Sequence, residues 1–201
     1  SPAALAQEQA FSGAIGPINA AAAYDRGYTG GYGIVHMIDA YALENDRLLK
    51  THVTRQYEVS ETASGDTSVV LASKLPYTST NNYEDTIKAQ LAAEPRNGEY
   101  GHGIAYDAEI YAYGLNTGTP SGDADADASK RQRLRATALL QASESIHSDI
   151  MHLNFSASDD ISDEVLQAMA VTAAYNDFMT IAAGEQNEQI SNPKIFTELV
   201  D

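Results

Sequence analysis

Asp39 is the side chain whose position in the sequence points most directly to chemistry. It follows the apolar run Ile34-Val35-His36-Met37-Ile38, and open α/β sheets gather ligands and reacting groups at the carboxyl ends of their strands. A carboxylate there can orient an imidazole, hold a cation or simply cap a loop. Five histidines, His36, His52, His102, His147 and His152, offer imidazoles, but their spacing fits no short metal-ligand motif, so each reads as a packing or hydrogen-bonding residue. Asp123, Asp125 and Asp127 imitate the first acidic positions of a calcium loop. The imitation fails at Ala128, where the tight turn needs glycine, and at Leu134, where a bidentate glutamate belongs. A solvated loop is the expectation there, with calcium as a weak candidate and no other cofactor. Gly27, Gly30, Gly31 and Gly33 lead into a strand, whereas a phosphate loop leaves a strand and opens a helix.

These groups need a scaffold, and hydrophobic periodicity supplies one. Strands are expected at Ile34 to Ile38, His52 to Val59, Thr67 to Ala72, Ala108 to Tyr113, Asp149 to Leu153 and Phe178 to Ala182. Helices are expected at Pro17 to Asp25, from Asn82 to Ala93, at Lys130 to Ser148 and at Ser162 to Tyr175. Gly114 to Ser129 reads as a polar loop, and Ser64-Gly65-Asp66 as a turn. The alternation of strand and helix predicts an α/β domain with a parallel sheet covered on both faces. Residues 1–12 form a loose N-terminal segment and residues 13–201 the domain.

Composition narrows the partners. The 28 acidic residues outnumber the 12 basic ones, a formal charge of -16, which disfavours nucleic acid and anionic membrane and leaves cations, basic protein faces or plain solubility. Cysteine is absent, removing disulfides and thiol chemistry. No apolar run reaches the length of a transmembrane segment. Twelve tyrosines either pack singly or build a recognition face.

Ile15-Gly16-Pro17-Ile18-Asn19-Ala20, the turn Gly27-Tyr28-Thr29-Gly30-Gly31-Tyr32-Gly33, and Ile38-Asp39 come in order along the chain. They are followed by Leu91-Ala92-Ala93, Gly101-His102-Gly103, Asp149 to Ser156, and Thr180-Ile181-Ala182-Ala183-Gly184. Together these segments resemble the N-terminal part of the catalytic domain of subtilisin-like serine proteases (peptidase S8). The resemblance implies a three-layer α/β fold, truncated relative to the full family domain. It places the catalytic aspartate at Asp39, the histidine position at Thr86 and the oxyanion-hole asparagine at Glu185. The nucleophile-bearing segment would lie past Asp201. Threonine is no base near neutral pH, and an ionised glutamate repels a forming alkoxide where a neutral donor is needed.

The reading that follows is a pseudoprotease: a non-catalytic structural or protein-interaction domain, secreted, periplasmic or at the cell surface, acting with a protein partner or by self-association. Two alternatives stand beside it. One is half of a split serine endopeptidase whose nucleophile sits on another chain, and the other is a carbohydrate or small-molecule binding module that uses the former substrate cleft.

Overall fold

A computed structural model describes residues 18–41, 53–72, 82–93, 102–144, 150–157, 159–175 and 178–182. Six strands form one sheet: β1 (Ile34–Ile38), β2 (Val53–Glu61), β3 (Thr67–Leu71), β4 (Glu109–Asn116), β5 (Ile150–Ser156) and β6 (Phe178–Ala182), in the order β3-β2-β4-β1-β5-β6. Among the described residues four helices accompany it: α1 (Ala20–Tyr24), α2 (Asn82–Ala93), α3 (Ala124–Glu144) and α4 (Asp163–Ala174). The N-terminal segment of residues 1–12 lies outside the described residues. Among those described, no helix is long and apolar enough to cross a membrane.

The central strand β1 pairs in parallel with β4 and β5, and β5 pairs in parallel with β6. The expected all-parallel sheet needs one correction, because β3 runs antiparallel to β2. The connection through Thr62 and Asp66 is too short for a crossover, and a tight turn can only reverse the chain. Gly65 supplies the left-handed φ of +87° that this turn needs.

Alternation along the strands sorts the core into two layers. Met37, Ile110 and Ala112 pack with Ala40 and with Ala89 and Ala93 of α2. Ile38, Tyr113, Met151, Leu153 and Phe155 face the other way, against Leu134 and Leu139 of α3 and Val165 and Met169 of α4. Small alanines on α2 let that helix come close to the sheet, while larger side chains fill the second layer.

Among the element boundaries that differ from expectation, two change the reading of the polar loop. β4 runs on to Asn116, and α3 begins at Ala124, inside the stretch predicted to be loop. Asp123 Oδ1 accepts the backbone N–H groups of Asp125 and Ala126 at 3.0 and 3.1 Å, and the Asp127 carboxylate takes the N–H of Ser121. Acidic groups at a helix N-terminus satisfy its free donors and its dipole, and the alternating alanines add helix propensity.

Close approach makes Gly30 structurally demanding. Its φ is +91°, and a Cβ there would sit 2.7 Å from Ala105 Cβ. Gly65 has a similar φ with nothing within 4 Å. Gly30→Ala should therefore cost about 2–4 kcal/mol, combining left-handed strain with overpacking, and Gly65→Ala only about 1–2 kcal/mol. Urea unfolding measures both; equal losses would contradict the close contact at Gly30.

Candidate functional site

The end of β1 is held by charge. Asp39 has a left-handed φ of +62°, a conformation that aspartate tolerates better than most residues. An extended residue at this position would point away from the face of Ile38, onto the α2 layer, by simple alternation. The turn instead carries the carboxylate to α3, where Asp39 Oδ2 lies 2.9 Å from Arg135 Nε and 3.8 Å from Arg131 Nη1. Arg135 Nη2 reaches Asp159 Oδ2 at 3.4 Å, and the guanidinium plane lies 4.4 Å from the centre of the Phe155 ring. Arg135 is buried. Taking away Asp39 or Arg135 would leave the other with only its more distant and more exposed partner, Arg131 or Asp159, a loss approaching the roughly 3–5 kcal/mol of a broken buried pair.

A second polar group forms on the α2 layer. Asp85, in the first turns of α2, is buried and accepts from Tyr41 N at 3.0 Å and from Asn154 Nδ2 at 2.6 Å. The same Asn154 amide donates to the backbone carbonyl of Asp39 at 3.0 Å, and Lys88 Nζ donates to Asn154 Oδ1. Burial pushes the Asp85 carboxyl above its ordinary pKa, against the hydrogen bonds from Tyr41 and Asn154 and the charge of Lys88. Burial first, and then the charges of Glu58 and Asp39, hold the Tyr41 hydroxyl protonated well beyond its usual range. Two residues back along β5, His152 Nδ1 shares a 2.9 Å hydrogen bond with Thr180 Oγ1. Burial, followed by the Lys88 charge, draws the pKa of this imidazole down.

The sequence-derived positions divide as follows. Asp39 lies at the strand end as expected, while the side chain of Thr86 and all of Glu185 fall outside the described residues. His102 caps the other end of the layer. Its Nδ1 meets Gly103 O at 2.8 Å, and its ring packs against Tyr24 and Tyr106. Ile104 and Ala105 close the C-terminus of α2 on Leu91 and Ala92, and Glu109 N binds Gly33 O where β1 begins. His102 is thereby separated from Asp39 by the length of β1, roughly 16 Å at the rise of a strand. His36 is buried against Tyr111 and Tyr113 in an aromatic ladder continued by Tyr57. His52 and His147 lie outside the described residues. Asp123, Asp125 and Asp127 belong to the start of α3, and among the described residues no three His, Asp or Glu side chains are placed to hold a metal ion. Tyr28, Tyr32 and Tyr175 are exposed.

The roles of Arg131, Arg135, Asp85, Lys88 and Asn154 were not read from the sequence. One signal was available: Arg131 and Arg135 are four apart on a helix, and Arg135 is flanked by the core residues Leu134 and Ala136. Beside the arginines opens a cleft of about 390 Å³, lined by Thr117, Pro120, Asp127, Ala128, Arg131, Gln132, Arg135, Asp159 and Asp160.

Likeness to known proteins is structural. No family model matches the sequence, and no curated protein does. A protease of Pseudoalteromonas arctica superposes with a TM-score of 0.57 at 18% identity, over 83% of this chain and 54% of that one. Fervidolysin from Fervidobacterium pennivorans, a keratinolytic enzyme related to subtilisin, gives 0.55 at 16% identity, over 82% of this chain and 23% of its own. The MycP3 protease from the type VII (ESX-3) secretion system gives 0.54 at 18%, over 83% and 44%. The architecture is thus subtilisin-like, and this chain spans between a quarter and about half the length of these proteins.

The half-buried imidazole of His152 gives stability a dependence on pH. A histidine whose folded pKa lies below its ordinary value of 6.5 contributes stability that is complete above the unfolded pKa and lost as the pH falls through the folded one. Between about pH 7.5 and pH 5, wild-type stability should fall more steeply than that of His152→Gln in urea titrations. Identical slopes would show that His152 is not buried in its neutral form.

Proposed function

We propose that this chain is a non-catalytic domain of subtilisin-like fold that serves as a structural or protein-interaction scaffold. The observation that carries this reading is the ion pair at Asp39. The carboxylate matched to the orienting member of a catalytic triad is taken up by Arg135 on α3. A triad aspartate works by holding an imidazole in one tautomer and stabilising its charged form. A carboxylate already neutralised by a buried guanidinium has little to offer an imidazole.

The sequence supports the same reading. By the family resemblance, Thr86 stands where the base belongs and Glu185 where a neutral oxyanion donor belongs. On the α2 layer, Asn154 spends its amide on Asp39 O and Asp85, so its donors are committed to the scaffold.

The interaction half of the proposal draws on the sheet edges. Both outer strands, Thr67–Leu71 and Phe178–Ala182, lack charged residues, whereas proteins that stay alone usually blunt such edges with charge, proline or bulges. Phe178 is 66% exposed at the start of β6. A protein partner or self-association is the natural use of these edges, in a setting that is secreted, periplasmic or at the cell surface, as the resemblance implies. The cleft beside Arg131 and Arg135 favours a second reading, a small-molecule binding module, because its volume falls in the range of ligand pockets.

A fluorophosphonate probe for activated serines, applied to the chain purified with whatever accompanies it, tests the proposal. No fold-dependent labelling is expected, either on this chain or on a companion bound to it. Labelling that disappears on unfolding would establish the split-protease alternative.

A further inference from the structure

Among the described residues, nothing pairs with the outer side of the antiparallel strand β3, which exposes an unused half-ladder. Thr62 N binds Asp66 O and Ala72 N binds Gln56 O, in register with the pairs Glu58 with Val70 and Ser60 with Ser68. In an antiparallel pair, alternate residues bond to the neighbouring strand. The backbone N–H and C=O groups of Ser68 and Val70 therefore face β2, and those of Thr67, Val69 and Leu71 point out of the sheet. The side chains are accounted for separately: Thr67 Oγ1 accepts from Thr137, Val69 packs on the core, and Ser68 meets Ser60. Val70 and Leu71 remain 50% and 64% exposed. Thr-Ser-Val-Val-Leu is uncharged, rich in β-branched residues, and free of proline and glycine, the composition of a strand ready to template another.

We propose that β3 is a docking edge for an extended, basic segment of another protein, which adds to the sheet as a seventh strand. The inference rests on the interaction reading above and supplies its chemistry. Backbone groups give the contact, and charge selects the occupant. The chain carries a net charge of -16, so a second copy or an acidic segment is repelled as it approaches, while a lysine- or arginine-bearing strand is drawn in. Exposed Val70 and Leu71 offer apolar contact to alternate side chains of the incoming strand.

The probe is a short synthetic peptide alternating valine with lysine or threonine, compared with its glutamate-for-lysine counterpart and with a copy N-methylated along one edge. The lysine peptide should bind the full chain, more weakly as salt is raised, and the glutamate and N-methylated peptides should bind about tenfold or more weakly. Leu71→Pro deletes an outward N–H that β2 does not use, so it should leave the melting temperature near wild type and weaken the lysine peptide by roughly tenfold. Val70→Lys keeps the backbone intact and should weaken the lysine peptide while improving the glutamate one. Equal binding of the two charge variants would overturn the proposal. So would unchanged binding by a folded Leu71→Pro chain, or dimerisation of the chain through this edge. None of these results bears on serine-probe labelling, so the docking edge can fail while the non-catalytic reading stands.

Discussion

A guanidinium cannot be buried without an opposing charge, and that requirement organises the functional end of this molecule. Arg135 rises from the inner face of α3 into the layer between helices and sheet, and Asp39 at the end of β1 meets it at 2.9 Å. Asp159, from the connection between β5 and α4, supplies a second carboxylate, and Phe155 lies against the guanidinium. Three segments distant in sequence, carrying Asp39, Arg135, and Phe155 with Asp159, are tied at one point. The left-handed backbone at Asp39 belongs to the same arrangement, because it carries the carboxylate to α3.

The opposite layer is fastened to the same strand end by hydrogen bonds. Asn154 bridges the Asp39 carbonyl and the Asp85 carboxylate, Lys88 holds the Asn154 oxygen, and Asp85 takes the N–H of Tyr41. Groups that could serve a reaction, a carboxylate on each face and an amide between them, satisfy one another. Buried polar networks with every member paired are rigid. The strand ends are therefore fixed, whereas the outer strands of the described sheet are uncharged, and this division supports the scaffold proposed above.

Much of the architecture was legible in the sequence because it rests on local patterns. Ile34-Val35-His36-Met37-Ile38 declares a buried strand by its β-branched content, and Ser162 announces α4 by accepting the N–H of Val165, as a helix cap should. The direction of β3 was missed although its turn was recognised; the short turn itself forbids a parallel crossover. The start of α3 was missed because three alternating aspartates look like loop, yet at a helix N-terminus acids cap and alanines propagate. The position of Asp39 could be read, but its role could not. Its partner lies 96 residues away, and nothing at Asp39 announces a buried arginine. Asp85 gave no sign of its role either, because Tyr41 and Asn154, which the fold sets against it, lie 44 and 69 residues away.

The central claim is that Asp39 is engaged by Arg135, and a double-mutant cycle measures that engagement directly. Asp39→Ala, Arg135→Ala and the double variant are compared by urea unfolding at neutral pH. Each single change should cost about 3–5 kcal/mol, and the double change less than their sum by about 2 kcal/mol or more, because each single variant strands a buried charge that the double variant removes. Small, additive losses would mean that the two side chains do not pair in solution and that Asp39 is open to other partners.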